Sequence, residues 1–130
     1  MLPHRTPAQL LAIARQGLDE AAKTRPDGLR YAAAHLAALR GAAAVVAARA
    51  TPGPNRPRQP VQSIWSLLIQ VAPEYAEWAT YFAGTSSKRA AAEAGIPWVV
   101  SPQEADDMLG AAEQFVSAVA SALDASKETR

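Results

Sequence analysis

The chain has 130 residues, which predicts one domain over residues 1–130 that buries about two-thirds of its unfolded surface. It contains no cysteine, so disulfides, thiolate nucleophiles and cysteine-ligated zinc are excluded. The low aromatic fraction of 6% and the abundance of alanine favour helices. The N-terminus lacks the apolar region of a signal peptide, and no run approaches about 18 apolar residues. We therefore expect a soluble, cytoplasmic protein without a membrane partner, metal or cofactor.

The net charge of +1 conceals an uneven distribution along the chain. Residues 1–60 carry nine Lys and Arg against three Asp and Glu, a net of +6, whereas residues 61–130 carry four against nine, a net of −5. This asymmetry predicts a basic face for an anionic partner or complementary self-association. The alternative is that both halves supply only solvated helix faces.

The first predicted helix starts with Thr6 as its N-cap and Pro7 as its first residue. The sequence TRPDG at 24–28 ends it, and Asp27 is placed to cap the second helix.

The second predicted helix, residues 30–49, is small or apolar on nearly every side, as expected of a central helix. At 100° per residue, Leu36, Leu39 and Val46 lie within about 80° of one another, and His35 points into the same stripe. The sequence therefore predicts a core histidine in the middle of the bundle.

Residues 50–62 are predicted to form a loop, because the stretch 50–60 contains four prolines. One interpretation is a plain connector. The other is a basic segment that contacts phosphates, with Arg40, Arg49, Arg56 and Arg58 as candidate nucleic-acid contacts.

A third predicted helix starts at Ser63, with a kink expected at Pro73. If it is continuous, one face within about 100° of arc carries seven apolar residues: Ile64, Leu67, Leu68, Val71, Tyr75, Trp78 and Phe82. A second apolar face includes Trp65, Ile69 and Ala76. Because one neighbour does not need so wide an apolar arc, we expect this second face to form a homodimer.

A short helix at 86–95 and a last helix after Ser101 complete the predicted elements. Ser101 and Glu104 have the spacing of a capping box, and the tail 125–130 is expected to fray. Trp98, in the apolar connection 96–100, is expected to plug the end of the bundle. The sum is an all-α, up-and-down bundle of four main helices and one short helix.

Most catalytic motifs are absent: the sequence has no Gly-rich phosphate loop, nucleophile elbow or HExxH. One pair with chemical potential is Arg30-x4-His35. Arginine stabilises charge on a phosphorane, and histidine is an acid or base near neutral pH.

Three stretches of the chain resemble an actinobacterial branch of the HEPN superfamily, the "higher eukaryotes and prokaryotes nucleotide-binding" helical bundles. They are RYAAAHLAALRGAAAVVAAR (30–49), IWSLLIQVAPEYAEWATYFA (64–83) and EADDMLGAAEQFV (104–116). The resemblance implies a HEPN-like bundle. In many members an R-x4–6-H motif lines a dimer cleft and cleaves RNA without metal, which would make Arg30 and His35 the catalytic pair.

Two observations favour a non-catalytic module over that ribonuclease. Tyr31 follows the arginine where the superfamily motif usually has a small polar residue, and positions five apart on one helix diverge by 140°. Two hypotheses result. One is a HEPN-like module that dimerises and binds a nucleic acid, a nucleotide or a protein. The other is a toxin-like, metal-independent ribonuclease that uses Arg30 and His35.

Overall fold

The computed structural model describes residues 5–49 and 63–128, with side chains up to residue 126. Within those residues the chain forms six α-helices and one 3-10 turn, and it contains no strand. The elements are α1 (Pro7–Lys23), α2 (Asp27–Arg49), α3 (Ile64–Val71), the turn Pro73–Tyr75, α4 (Ala76–Gly84), α5 (Ser86–Glu93) and α6 (Pro102–Glu128). The predicted all-α bundle is confirmed. The predicted loop 50–62 lies outside the described residues.

Helix α1 begins as predicted. The Thr6 side chain accepts a hydrogen bond from the Gln9 backbone N–H, and the Gln9 side chain accepts one from the Thr6 backbone, so a capping box closes the first turn. Pro7 occupies the first helical position, where a backbone N–H would have no partner.

Helix α2 is the central helix, in contact with α1, α3, α5 and α6. Most of its buried residues are alanines, and Gly41 lets α6 come closer still. A Cβ atom at Gly41 would lie 3.2 Å from the Cγ2 atom of Val116, closer than ordinary van der Waals contact. The predicted apolar stripe is partly wrong. Leu36 is 43% exposed, whereas Tyr31 and His35 face the core.

By length and composition, α2 also satisfies the criteria for a membrane span, with a mean hydropathy of 1.4 over 18 residues. Of that stretch, 56% is buried inside the protein. Because other helices pack around α2, its apolar composition is that of a core helix.

The third predicted helix is broken at Pro73, not kinked. Helix α3 ends at Val71, and Ala72 adopts φ −147° and ψ 70°, outside the helical region. The ring of a proline disfavours helical geometry in the residue before it, and Pro73 supplies no N–H to continue the ladder. The chain then turns through one 3-10 turn into α4.

The break changes which residues face the core, and it corrects the predicted dimer face. Trp65 is only 3% exposed, and its ring stacks on Phe82 with centroids 5.1 Å apart. Phe115 of α6 lies 5.5 Å from Phe82 and 5.7 Å from Trp78 by the same measure. An aromatic cluster contributed by α3, α4 and α6 therefore fills the centre of the bundle.

The C-terminus of α5 and the N-terminus of α6 are each fixed by hydrogen bonds between nearby residues. Helix α5 stops at a Schellman motif: Gly95 has φ 82°, its N–H bonds to the Ala92 carbonyl, and Ile96 N–H bonds to the Ala91 carbonyl. Helix α6 starts with the predicted capping box between Ser101 and Glu104. It continues to Glu128, beyond the predicted end.

Trp98 does not plug the bundle. Its side chain is 97% exposed, and its backbone has φ 66°. Val100, 8% exposed, is the residue of this connection that is buried in the core, and Val99 packs against it partly buried.

Candidate functional site: the Arg30–His35 pair

Arg30 lies in the first turn of α2, and its guanidinium holds two separate parts of the chain together. Nη1 donates to the backbone carbonyls of Thr24 (3.2 Å) and Arg25 (2.9 Å), in the turn before α2. Nη2 donates to the Asp27 carboxylate at 2.8 Å and to the Pro102 carbonyl at 3.5 Å.

A second carboxylate completes the surroundings of Arg30. Its Nε atom lies 3.3 Å from Oδ1 of Asp106, on α6. Only 12% of the Arg30 side chain is exposed. The guanidinium therefore bridges the α1–α2 turn and the start of α6 through Nη1 and Nη2, whereas Nε forms only the ion-pair contact with Asp106 and no hydrogen bond within the described residues.

His35 is the buried polar residue of the core, with 1% of its surface exposed. Its Nε2 atom lies 2.8 Å from the Phe82 carbonyl oxygen. A carbonyl oxygen only accepts, so Nε2 carries the proton in this contact. The neutral ring then has its lone pair on Nδ1, which is buried and has no hydrogen-bond partner among the described residues.

The Phe82 carbonyl lies near the end of α4 and accepts from side chains as well. Thr85 Oγ1 donates to it at 2.9 Å and Ser86 Oγ at 3.2 Å. The His35 ring meets the rings of Trp65 and Phe82 edge-on, with centroids about 6 Å apart. His35 thus satisfies a helix-end carbonyl within an aromatic environment.

Burial lowers the pKa of His35 below its ordinary value of 6.5, because a charged imidazolium would lose its hydration there. The hydrogen bond to the Phe82 carbonyl acts in the opposite direction. On α5, the positive charge of Arg89 lowers the pKa further and the negative charge of Glu93 raises it. The net effect keeps His35 neutral at physiological pH.

This lowered pKa predicts a pH-dependent stability. Below about pH 6.5 the unfolded chain protonates His35 while the folded chain does not. Above that pH, the contribution of His35 to the free energy of unfolding should be constant. It should fall by up to about 1.4 kcal/mol per pH unit below it. Denaturant melts of wild type and His35→Gln across this range measure the difference.

The His35→Gln variant should lose the part of the wild-type slope that one titrating proton contributes. Equal slopes for wild type and His35→Gln would show that His35 titrates as it does in the unfolded chain.

Beside the pair, a cleft of about 330 Å³ opens between α2, α4, α5 and α6. Tyr31 and Tyr81 line it together with Thr85, Lys88, Glu104 and Asp107, and His35 does not. Lys88 is bound to Glu104 by an ion pair. Burial raises the pKa of the Tyr31 phenol, which Thr85 partly offsets through a hydrogen bond. Sequence reasoning missed this cleft, because no spacing connects α5 with the start of α6.

Arg30 and His35 lie in different surroundings within the chain. The Arg30 donors are bound to the turn and to α6, and His35 points into the aromatic cluster. The 140° divergence expected from their spacing is realised in α2.

The candidate nucleic-acid contacts are separated as well. Arg40 lines a depression between α1 and α2 that also contains Glu20. Arg49, nine positions later and so about 180° away around the helix, is paired with Glu74. Arg56 and Arg58 lie outside the described residues.

Only part of the predicted dimer face lies on the surface of the chain. Trp65 belongs to the core, Ile69 is 40% exposed, and Ala76 is half-buried. No group of three or more His, Asp or Glu suited to a metal ion occurs in the described parts of the chain.

The all-α bundle with an R-x4-H sequence at the start of its central helix is of the HEPN type. Comparison with protein families agrees with this class. Residues 21–120 match the SAV_6107-like HEPN family, and the chain belongs to that family. No curated protein and no solved structure matches the chain.

Proposed function

We propose that this HEPN-family chain is a non-catalytic module that self-associates and binds a protein partner. The observation that supports this proposal is the use of both candidate catalytic side chains inside the fold. Arg30 donates to four acceptors of its own chain, and His35 is 1% exposed with its Nε2 proton bound to a backbone carbonyl.

Cleavage of RNA by the Arg30–His35 pair would need a nitrogen of His35 within hydrogen-bond reach of the ribose 2′-OH or the leaving oxygen. The Nδ1 atom of His35 is sealed in the core, and the Nε2 proton is already donated. Exposing the ring would require opening of the aromatic cluster around Trp65 and Phe82. To stabilise the charge of a phosphorane, Arg30 would have to break its ion pairs with Asp27 and Asp106.

Part of the positive charge of the described residues is neutralised within the fold. Arg30, Arg49, Lys88 and Arg89 each form an ion pair with a carboxylate of the chain, which reduces the field available to phosphates. Exposed apolar side chains lie on several sides of the bundle: Leu29, Leu36, Ile69, Tyr81, Ile96 and Trp98. Of these, Ile96 and Trp98 lie two residues apart, and an exposed apolar surface formed by more than one side chain is typical of protein contacts.

The proposal is tested by incubating RNA with the purified protein in EDTA. We expect no cleavage by wild type. Cleavage with cyclic phosphate ends that disappears in both Arg30→Ala and His35→Ala, while Arg25→Ala and His4→Ala keep it, would overturn the proposal. Circular dichroism of each variant separates a lost activity from a lost fold.

Binding to labelled RNA in the same samples tests the choice of partner. Binding through phosphates falls steeply between roughly 50 and 200 mM salt. Binding with that salt dependence, weakened in an Arg56→Ala, Arg58→Ala double variant, would assign the module to nucleic acid instead. We expect no salt-sensitive binding of this kind.

A further inference from the structure

The aromatic side chain of Trp98 lies almost fully exposed on the surface of the folded chain. It is 97% exposed, and Ile96 two residues before it is 53% exposed. Its φ of 66° lies in the left-handed region, which is strained for a residue with a bulky side chain. Among the described residues, none packs on the indole in a way that would offset this strain.

The connection that displays Trp98 is short and fixed at both ends. The Schellman motif at Gly95 closes α5, and the capping box of Ser101 and Glu104 opens α6. Val100 anchors the segment in the core. Trp98 is therefore presented in a defined direction, and little conformational entropy would be lost when a partner covers it.

A cleft at the other end of the bundle has the size and chemistry to receive an indole. It has a volume of about 540 Å³ and lies between the start of α1, the end of α2 and the end of α6. Its walls include Leu11, Ala12 and Leu123, with Arg15 and Asp124 among the polar lining residues. A guanidinium can stack on an indole face, and a carboxylate can accept the indole N–H.

The indole of Trp98 cannot reach the cleft of its own molecule. Trp98 precedes the first residue of α6, Pro102, whereas Leu123 lies 21 residues into that helix. At 1.5 Å per residue the two are separated by about 30 Å along a rigid helix. Only a second molecule can bring the two together.

We propose that Trp98 of one molecule inserts into the α1–α6 cleft of a second copy. The contact joins two different surfaces, so it is head-to-tail and leaves one Trp98 and one cleft open at the ends of each assembly. This inference rests on the proposed interaction role, and it names a second copy of the chain as the partner. It also replaces the predicted dimer face around Ile69.

Light scattering on the full chain tests the proposal with two variants that spare the core. Trp98→Ala removes the exposed indole, and Ala12→Glu fills the cleft from an exposed helical position. Wild type should rise above 13.7 kDa between about 10 and 500 µM. Each variant alone should stay at 13.7 kDa.

Mixing the variants gives the sharper result. Ala12→Glu still carries Trp98, and Trp98→Ala still carries an open cleft, so an equimolar mixture should form dimers and nothing larger. Ile69→Glu should associate as wild type does. A wild type that stays monomeric, a Trp98→Ala variant that still associates, or association abolished by Ile69→Glu alone would each overturn the proposal. None of these results bears on the RNA assay, so this proposal and the absence of catalysis fail separately.

Discussion

Replacement of Trp65 by alanine is expected to lower the free energy of unfolding by about 3–5 kcal/mol, as for other fully buried aromatic side chains. Trp65 is 3% exposed and contacts the rings of His35, Phe82 and Phe115. Truncation leaves a cavity at the centre of the aromatic cluster, which the surrounding helices cannot fill without moving. Denaturant melts followed by far-UV circular dichroism give the value.

Trp98→Ala is the matched control, because the same substitution is made at a 97% exposed position. At concentrations below about 10 µM, where the chain should be monomeric, we expect it to change stability by less than about 0.5 kcal/mol. Trp65→Phe, which keeps an aromatic ring, provides a folded reference if Trp65→Ala does not fold. A loss from Trp98→Ala as large as that from Trp65→Ala would contradict the packing described.

Replacement of Arg30 by alanine is expected to cost about 2–3 kcal/mol. The side chain is 12% exposed and bonds to carbonyls and carboxylates, and hydrogen bonds to a charged group contribute about 1.5–3 kcal/mol each. The sum is reduced because Asp27 and Asp106 are 34% and 65% exposed, and water screens those ion pairs. Melts of the purified variant provide the measurement.

Two further variants isolate the geometry of Arg30. Arg30→Lys should recover only part of the loss, because an ammonium cannot bond to the α1–α2 turn and to α6 at once. Arg25→Ala removes an exposed arginine in the same turn and should be nearly neutral. An Arg30→Ala variant as stable as wild type would mean that the guanidinium does not hold these elements together.

The features of this fold that sequence could predict are those set by a few adjacent residues. The caps at Thr6, Ser63 and Ser101 depend on side chains within one turn of the backbone they bond. The end of α5 depends on Gly95 and its freedom at positive φ. Such features need no knowledge of distant contacts.

The tryptophans show why the core was harder to predict. Assignment of Trp65 to an outer face assumed one continuous helix from Ser63 to Gly84. Ala72 leaves the helical region before Pro73, so the angles on either side of the break do not add. Trp98 was placed inside on composition alone, and no local pattern showed that Val100 would be the anchor.

Of the two residues of the candidate site, the sequence predicted the surroundings of His35 but not those of Arg30. The apolar neighbours of His35 along α2 indicated a core histidine, and burial confirms it. The role of Arg30 depends on Pro102 and Asp106, more than 70 positions away, and on carbonyls of the preceding turn. The R-x4-H motif specifies neither the contacts of Arg30 with α6 nor its contacts with the preceding turn.

The protonation state of His35 decides most directly whether this histidine is a buried core residue or one available for catalysis. Long-range ¹H–¹⁵N NMR on the folded protein reports which ring nitrogen carries the proton and how it titrates. The buried contact with the Phe82 carbonyl predicts a neutral ring protonated at Nε2, with a pKa below 6.5 for as long as the chain is folded. A ring that titrates at or above 6.5 in the intact fold, with Nε2 free of its proton, would contradict it and point to a histidine available for catalysis.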